Sequence, residues 1–459
     1  MHPKSHTDRP RSPRNRTYVL IGLIVLSISP LRGQAEEIRS ITIGEAVRIA
    51  LQENLDIKQF SNQVATSEVS VKQARANFYP NLSASVSGRK NFSRNNALTF
   101  DDPSSEALST TISSNLNLFD GFNNIASLQK AKRDLAADEA NFFRRRQLIM
   151  YETISQFLQV VLDRELIGAE KEDMESQQEQ LRFIEEFYRA GNRSIADVLQ
   201  QKADIAQSRL RVLNAERNYE VSRLTVLKTM GQAPTTPVEF IAPAIEQLVP
   251  TFVNLDTVRI ADRALTLRPD IEAQKMEIEA ARKQVQGAQS GYWPSVSLFA
   301  NAGSNYSSAD IASDFSEQLF DNNLNATVGL SLSIPLFDRL STRNAVQQAD
   351  IQLSNQELSL ENLKLEMNFE VQQALLDFQT AVQQRAAAQA QLDYAQQAFE
   401  VSKARYTVGA STYAELTQAR AHYVSAANDR VGADYGVLLR GMAIHYYLGD
   451  IDSAISMFE

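Results

Sequence analysis

The segment NFYPNLS at residues 77–83 decides the fold, because its pattern returns in the second half of the chain as GYWPSVS at residues 291–297. In both places a helical stretch ends at two aromatic residues followed by proline, which cannot donate a hydrogen bond to a helix and favours extended geometry in its predecessor. The triplet LFD at residues 118–120 likewise returns at residues 336–338, at a slightly larger offset. The sequence therefore predicts a duplication of one structural unit.

Each copy contains two stretches in which apolar and polar residues alternate, as in a β-strand with one apolar face. The stretches are residues 82–88 and 112–118 in the first copy and residues 296–302 and 328–334 in the second. Polar loops separate them, at Asn91–Ala107 and at Ser304–Asn325. We therefore predict one β-hairpin in each copy, at about residues 81–119 and about residues 295–336.

The remainder of each copy is predicted to be helical. The predicted segments are a first helix at residues 44–78 and 257–292, a long helix at residues 122–187 and 339–405, a turn at residues 188–193 and 406–411, and a return helix that ends near Gly231 and Gly449. Apolar residues recur every seven positions along the long helices, which is typical of coiled-coil packing. A first helix and a return helix laid end to end match the long helix in length, so we expect them to lie alongside it.

The organisation of the chain follows from these segments. Residues 1–35 are predicted to be a signal peptide, because a basic start is followed by an apolar run at Tyr18–Ile28 that is too short to span a membrane and by small residues at Gly33–Ala35. The predicted parts are the first repeat at residues 36–231, a Pro-rich linker at residues 232–256, the second repeat at residues 257–449 and a tail at residues 450–459. We expect the linker and both chain ends to meet where the first and return helices abut.

Composition excludes several classes of function. The 459 residues include no cysteine and only four histidines, and the formal net charge is −9, so thiol chemistry, a histidine-rich metal site and general binding to nucleic acid are disfavoured. The sequence lacks the common phosphate-binding, zinc-protease and serine-hydrolase motifs. We therefore expect neither an enzyme nor a cofactor, and any energy for transport would come from a partner.

Three features favour a membrane barrel as the location of the hairpins. The strands approach the length of about 9 to 11 residues that a tilted spanning strand needs. Their loops are long and polar, and aromatic residues lie at the helix side, where an interfacial girdle would be. These aromatic residues are Phe78, Tyr79, Phe119, Tyr292, Trp293 and Phe337. The alternative is an exported periplasmic coiled-coil scaffold without channel activity, with its hairpins on a soluble rod.

A barrel location fixes two further expectations. Four strands cannot close a barrel, and open edges are not tolerated in lipid, so the chain would have to oligomerise, with a trimer as the smallest assembly that has an open lumen. One face of the strands would meet lipid and the other water. The lipid-facing set is Leu116, Leu118, Leu330 and Leu332, and the water-facing set is Asn115, Asn117, Ser331 and Ser333.

The duplicated order of helix, aromatic pair with proline, hairpin and LFD triplet, with the turns YRAG at residues 188–191 and YTVG at residues 406–409, resembles the TolC-like outer-membrane efflux and secretion channels. The resemblance implies a mainly α fold with a membrane β-barrel portion, in which three chains form a 12-stranded barrel continuous with a periplasmic α-helical coiled-coil tunnel. It implies a passive exit duct, the outer-membrane component of a tripartite efflux or type I secretion system in a Gram-negative bacterium. The implied partners are two further copies, outer-membrane lipid, a periplasmic adaptor and an inner-membrane pump of the RND, ABC or MFS type.

The resemblance also implies that the two helical turns form the periplasmic entrance. The gate candidates in matching positions are Tyr188, Arg193, Asp197, Tyr406 and Glu415, and the candidates for adaptor docking are Gly191, Ser194, Val198, Gly409, Thr412 and Leu416. Helix geometry alone also explains these residues, because both turns read as a left-handed glycine followed by a capping box. Ser411 stands where relatives carry an arginine, so we expect Arg193 to pair with Asp197 or with Glu415.

Overall fold

The structure is a computed structural model that describes residues 39–92, 104–243 and 257–455. The predicted signal peptide, the tip of the first hairpin, about half of the Pro-rich linker and the end of the tail lie outside these ranges. None of the helices within the described ranges is long and apolar enough to cross a membrane.

Helices account for most of the described chain. In chain order they are α1 (Ile43–Glu53), α2 (Leu55–Ala76), α3 (Asn123–Arg189), α4 (Ile195–Thr229), α5 (Thr257–Leu267), α6 (Pro269–Ala288), α7 (Phe315–Glu317), α8 (Ser341–Thr407), α9 (Tyr413–Leu448) and α10 (Ile451–Ile455). The two long helices, α3 and α8, each contain 67 residues and are about 100 Å long. They confirm the predicted pair of long helices with shifts of one or two positions at their ends.

The two predicted first helices are each interrupted, which corrects the prediction of one continuous helix. The interruptions lie at Asn54 and Arg268, which are equivalent positions of the two copies, and both residues have a non-helical backbone, with ψ values of 130° and 120°. The side-chain oxygen of Asn54 accepts hydrogen bonds from the amides of Asp56 and Ile57 at 2.8 and 3.2 Å, so it caps α2. Pro269 begins α6, and a proline restricts the preceding residue to extended geometry.

The return helices end against these interruptions. α4 is followed by Gly231 and α9 by Gly449, and both glycines have a positive φ, near +67° and +77°. A Cβ atom on Gly231 would lie 2.7 Å from the carbonyl oxygen of Glu53, and one on Gly449 would lie 3.0 Å from that of Leu267. The close approach stacks α4 under α2 and α9 under α6, alongside the long helices, as the helix lengths predict.

Within the described ranges, the strands form one four-stranded antiparallel sheet and one small parallel pair. Their bounds are β1 (Arg39–Ile41), β2 (Ser83–Phe92), β3 (Ser104–Asp120), β4 (Val238–Phe240), β5 (Ser295–Ser307) and β6 (Asn325–Ser333). The sheet order is β2-β3-β5-β6, so both predicted hairpins are confirmed and β3 pairs with β5 to join the two copies. Strands β2 and β6 are the edges of this sheet.

The predicted loops of the hairpins are too long, because the strands extend into them. The first predicted loop, Asn91–Ala107, loses its ends to β2 and β3, and the second, Ser304–Asn325, loses its start to β5. The second also contains α7 and a π-helical turn at Gln318–Asn322, so it is an ordered segment.

Register gives the large sheet one apolar and one polar face. Leu116, Leu298 and Leu330 are cross-strand partners in one row, and Asn117, Ser297 and Ser331 form a row on the opposite face. The predicted faces therefore agree with the register at Leu116, Leu330, Asn117 and Ser331. Leu118 is an exception, because a bulge follows Asn117 and Phe119 instead of Leu118 pairs with Val296.

The pair of β1 and β4 lies at the level of the helix interruptions and belongs to the main hydrophobic core. Ile41 and Phe240 are fully buried there with Ile451, which follows the end of the second repeat. The ring of Phe240 meets that of Phe157 edge to face at 5.3 Å between centroids. The described part of the linker and both ends of the described chain therefore meet in one core, as expected from the sequence.

Candidate functional site

The two turns that join the long helices to the return helices have the same backbone conformation. Gly191 and Gly409 have φ values of +78° and +79°, and within the described chain nothing beyond the adjoining residues lies within 4 Å of where a Cβ would stand on either. Glycine is therefore required by the left-handed backbone and not by lack of space. The amide of Asn192 donates to the carbonyl oxygen of Phe187 at 2.8 Å, and that of Ala410 donates to Arg405 at 2.8 Å, which closes each helix end.

The return helices start with hydroxyl caps, but neither forms the predicted capping box. The hydroxyl of Ser194 accepts from the amide of Ala196 at 3.0 Å, and that of Thr412 accepts from the amide of Glu415 at 3.3 Å. Asp197 and Glu415 do not return a bond to the cap backbone, whereas Glu45 does so to Thr42 at the start of α1. Capping thus explains the hydroxyl residues of the two turns and leaves both acidic side chains outside the cap.

Arg193 reaches from the first turn to the end of α8 in the second. Its Nη2 donates to the carbonyl oxygen of Tyr406, and its Cζ lies 3.9 Å from the centroid of the Tyr406 ring. The last carbonyl groups of a helix lack internal partners and carry a partial negative charge, so a guanidinium is well placed there. The predicted pairing of Arg193 with Asp197 or Glu415 is wrong, because the helix end offers an acceptor and an aromatic face together.

The two equivalent tyrosines of the turns differ in environment. Tyr406 is 0% exposed, and burial raises the pKa of its hydroxyl, although the nearby charge of Arg193 acts in the opposite direction. Tyr188, its counterpart in the first turn, is 42% exposed. Ser411, the counterpart of Arg193, is too short to make the contact that Arg193 makes.

The predicted docking residues fall into two groups. Gly191, Ser194, Gly409 and Thr412 are exposed on the turns. Val198 and Leu416 are buried in a hydrophobic cluster with Ile184, Phe399 and Tyr406, which corrects their assignment to a docking surface. The i to i+4 spacing from the cap turns both side chains inward, towards α3 and α8.

Sequence reasoning missed a set of polar contacts between the helices near the turns. The hydroxyl of Tyr413 lies 2.7 Å from a carboxylate oxygen of Asp204 and 2.8 Å from Gln201 Oε1; burial first, and then the bond to Asp204, raise the pKa of Tyr413. Further along α3 and α4, Arg211 binds Glu170 at 2.9 Å and Asp173 at 2.6 Å. These pairs join residues far apart in sequence, so no local sequence spacing predicts them.

The predicted aromatic residues gather where the sheet meets the helices. Phe119 and Trp293 both contact the ring of Phe122, at centroid distances of 5.1 and 6.3 Å. The other members of the set, Phe78, Tyr79, Tyr292 and Phe337, are exposed.

The aspartates of the LFD triplets have a structural role that the motif did not reveal. Asp120 accepts from the amide of Asn124 at 2.9 Å, and Asp338 accepts from that of Thr342 at 2.7 Å, so each caps a long helix. The motif therefore fixes the point at which a strand becomes a long helix. Among the residues with described side chains, no group of three or more His, Asp or Glu is arranged to hold a metal ion.

Comparisons with known proteins identify the family and the fold. The family model described as outer membrane efflux protein matches residues 46–232 and 260–449. Protein CyaE of Bordetella pertussis is 26% identical over 430 residues, covering 92% of this chain and 87% of CyaE. The cation efflux system protein CusC of Escherichia coli O157:H7 is 23% identical over 422 residues, covering 87% of this chain and 84% of CusC. The solved structure of the Campylobacter jejuni CmeC outer membrane channel is similar with a TM-score of 0.75 at 18% identity, covering 91% of this chain and 90% of CmeC.

Proposed function

The chain belongs to the outer membrane efflux protein family, and from that premise we propose that three copies of it close one 12-stranded barrel that continues into a helical tunnel. The family is one of channels and not of enzymes, and its members lie in the Gram-negative outer membrane with a large periplasmic portion. The chain is thus an outer-membrane channel component.

The observation that supports the assembly is a mismatch in burial between equivalent residues. Leu158 on α3 is 0% exposed, because the second copy and the β1–β4 core cover it, whereas Leu376 at the same place on α8 is 63% exposed. A stripe of exposed apolar residues continues along α8 at intervals of seven, at Ile351, Leu358 and Leu365. Another copy of the chain would cover α8 as the second repeat covers α3.

The opposite side of the chain offers a matching surface. Exposed apolar residues on α2 and α4 include Val69, Leu199 and Leu210. The edge strands β2 and β6 are the corresponding open edges of the sheet, and unpaired edges cannot face lipid. Two copies would give eight strands, whose interior is filled by side chains, and three give twelve with an open lumen.

Mass measurement in detergent tests the assembly. The protein without its signal peptide is expected to be a trimer, and Leu358→Glu together with Leu365→Glu is expected to shift it towards monomer. Ser359→Glu, about 100° around the helix from this stripe, is compared with Leu358→Glu alone, which adds the same single negative charge. A folded monomer as the main wild-type species would contradict the proposal.

The two turns are proposed to form the periplasmic entrance. In each chain the contact between Arg193 and Tyr406 would hold the first and second turns together. Between chains the equivalent contact would join Ser411 to Tyr188 of the next copy, and Ser411 has no guanidinium with which to make it. Asp197 and Glu415 are then surface charges of the entrance, outside the contact that closes it.

We further propose that the exposed turn residues Gly191, Ser194, Gly409 and Thr412 receive a periplasmic adaptor, which connects the channel to an inner-membrane pump. The relative named as a cation efflux system protein supports a place in a multi-component transport system. Cross-linking from a photoreactive residue at Ser194 or Thr412 in whole cells would test this, with the buried Val198 as the control position. Cross-links to outer-membrane proteins alone would contradict adaptor docking.

A further inference from the structure

The connection between β5 and β6, residues 308–324, folds over one face of the sheet, and we call it the apex segment. Ser304, which it covers, is 6% exposed, and its hydroxyl donates to the carbonyl oxygen of Gln318 at 3.4 Å. The ring of Tyr306 meets that of Phe315 at 4.8 Å between centroids. Residues 304 and 306 alternate in phase with Leu298, so the apex segment lies on the apolar face of the sheet.

The apex segment is held in this position by Gln318, which is almost fully buried. Its Oε1 accepts from the amide of Ser307 at 2.9 Å, and its Nε2 donates to the carbonyl oxygens of Asp310 and Ser313 at 3.2 and 3.0 Å. Asn323 adds a bond from Nδ2 to the carbonyl oxygen of Asn305 at 2.6 Å. One buried amide side chain thus ties the start and the middle of the segment to β5, and Asn323 ties its end.

The apex segment exposes large apolar side chains beside four exposed acidic side chains. Ile311 is 96% exposed and Phe320 is 70% exposed, and Leu324 is exposed next to the start of β6. Along β6, the exposed side chains of Val328 and Leu330 continue this surface on the apolar face of the sheet. Contiguous exposed apolar side chains mark an interaction site.

We propose that the apex segment is a lipid-contacting element, which inserts Ile311 and Phe320 at the acyl boundary of the outer leaflet. The inference rests on the proposed function, in which the apolar face of the sheet meets lipid. The occupant follows from continuity, because the same face carries Val328 and Leu330 within the barrel wall and Ile311 and Phe320 above it. Since the segment lies on the outer face, it leaves the lumen beside β5 and β6 uncovered.

The charge of the apex segment indicates which part of a membrane it contacts. The apex segment carries Asp310, Asp314, Glu317 and Asp321, and no lysine or arginine occurs between residues 304 and 338. Attraction to anionic headgroups therefore cannot supply its affinity for a membrane. Contact with acyl chains through the apolar residues is the remaining source, so the test uses zwitterionic lipid.

The chain contains a single tryptophan, Trp293, which allows a direct test by fluorescence. Phe320→Trp is made together with Trp293→Phe, and the protein is reconstituted in phosphatidylcholine vesicles with bromine on the acyl chains. Its fluorescence is expected to be blue-shifted, largely quenched relative to unbrominated vesicles and little affected by aqueous iodide. Asn305→Trp in the same background is the control, because residue 305 is exposed on the polar face of β5, close to where the apex segment begins.

The outcomes separate this inference from the proposed function. Wild-type Trp293 lies at the proposed membrane interface, so quenching of Trp293 by brominated lipid confirms that the barrel is inserted. If Trp293 is quenched and the residue 320 tryptophan is instead quenched by iodide, the inference on the apex segment is wrong. Quenching of that tryptophan by neither agent would mean that a neighbouring subunit covers it, which also overturns the inference. If Trp293 itself escapes brominated lipid, the proposed function fails first.

Discussion

The guanidinium of Arg193 lies 3.9 Å from the centroid of the Tyr406 ring and also donates to the carbonyl oxygen of Tyr406, near the end of α8. One side chain from the first turn thereby holds the end of the long helix of the second repeat. At the equivalent positions, the second turn has Ser411 in place of Arg193, and the first turn has the exposed Tyr188 in place of the buried Tyr406. The two turns of one chain are therefore joined by a contact that Ser411 and Tyr188, the equivalent pair, do not provide.

We expect Arg193→Ser to raise single-channel conductance in planar bilayers, because it removes a cation–π contact of about 0.5 to 2 kcal/mol that holds the entrance turns together. Glu415→Gln is expected to leave conductance unchanged, since Glu415 does not contact Arg193. Tyr406→Phe keeps the ring and the carbonyl group and is expected to match wild type. Arg189→Ser, on the exposed end of α3, controls for the loss of a positive charge. Equal conductance of wild type and Arg193→Ser, with the trimer intact, would reject the contact as a closing element.

Two glycines with the same backbone geometry should differ in their tolerance of alanine. Gly191→Ala is expected to cost about 1 to 2 kcal/mol, the strain of a left-handed backbone, because the space around it is open. Gly231→Ala is expected to cost more, since its Cβ would also collide with the carbonyl oxygen of Glu53. Thermal unfolding in detergent measures both, and equal costs would mean that α4 does not end as closely against the helix interruption as described.

The carboxylate of Asp270 should make the stability of the fold depend on pH in the acid range. It binds Arg268 through two hydrogen bonds of 3.0 and 2.6 Å. Burial alone would raise the pKa of Asp270, but Arg268 and Arg144 outweigh burial and lower it from 3.8. A carboxylate with a lowered folded-state pKa stabilises the fold above its unfolded value and loses that contribution as pH falls below about 3.8.

Replacement of this carboxylate measures its contribution. Asp270→Asn is expected to lower the free energy of unfolding by about 2 kcal/mol near neutral pH, less than the usual loss for a broken buried pair because Glu370 still binds Arg268. The difference from wild type should shrink on acidification below pH 4. Glu272→Gln, at an exposed neighbouring position, is the control and is expected to change the free energy of unfolding little. A loss of stability in Asp270→Asn that does not depend on pH would contradict the electrostatic explanation.

The sheet faces can be tested with two adjacent residues of β6. Leu330→Arg is expected to reduce outer-membrane assembly, because an arginine on the lipid side of a barrel costs about 2 to 4 kcal/mol at the membrane midplane. Ser331→Arg carries the same charge on the opposite face and is expected to assemble normally. The amount of heat-resistant trimer in membrane fractions distinguishes them. Similar losses in both variants would mean that β6 does not separate lipid from water.

The fold could be predicted from the sequence mainly because its motifs are repeated. The aromatic pair with proline and the LFD triplet each occur twice, and the alternation between them defined both hairpins within a few positions. The helix interruptions were missed, although Pro269 marks one of them and Asn54 offers a capping side chain at the matching position. The sequence on both sides of each interruption has a strong helical pattern. The reason for the interruption becomes clear only from the way α4 and α9 end against it.

The candidate site was less accessible to sequence reasoning. The turn glycines and the hydroxyl caps follow from local rules, and the structure has them as expected. The partner of Arg193 depends on where the end of α8 lies, and the burial of Val198 and Leu416 depends on how four helices converge. Neither is encoded in a spacing along one segment, because both arise from packing between segments of different repeats.

The equal length of α3 and α8, 67 residues each, has a consequence for how such a channel diversifies. In a ring of three chains, the turns at the ends of these helices would form six positions of two alternating kinds. A substitution in the turn of one repeat then changes every second turn of the ring and leaves the three other turns unchanged. Duplication within the gene thus lets firm and loose junctions evolve separately, a freedom that a ring of six identical subunits does not have.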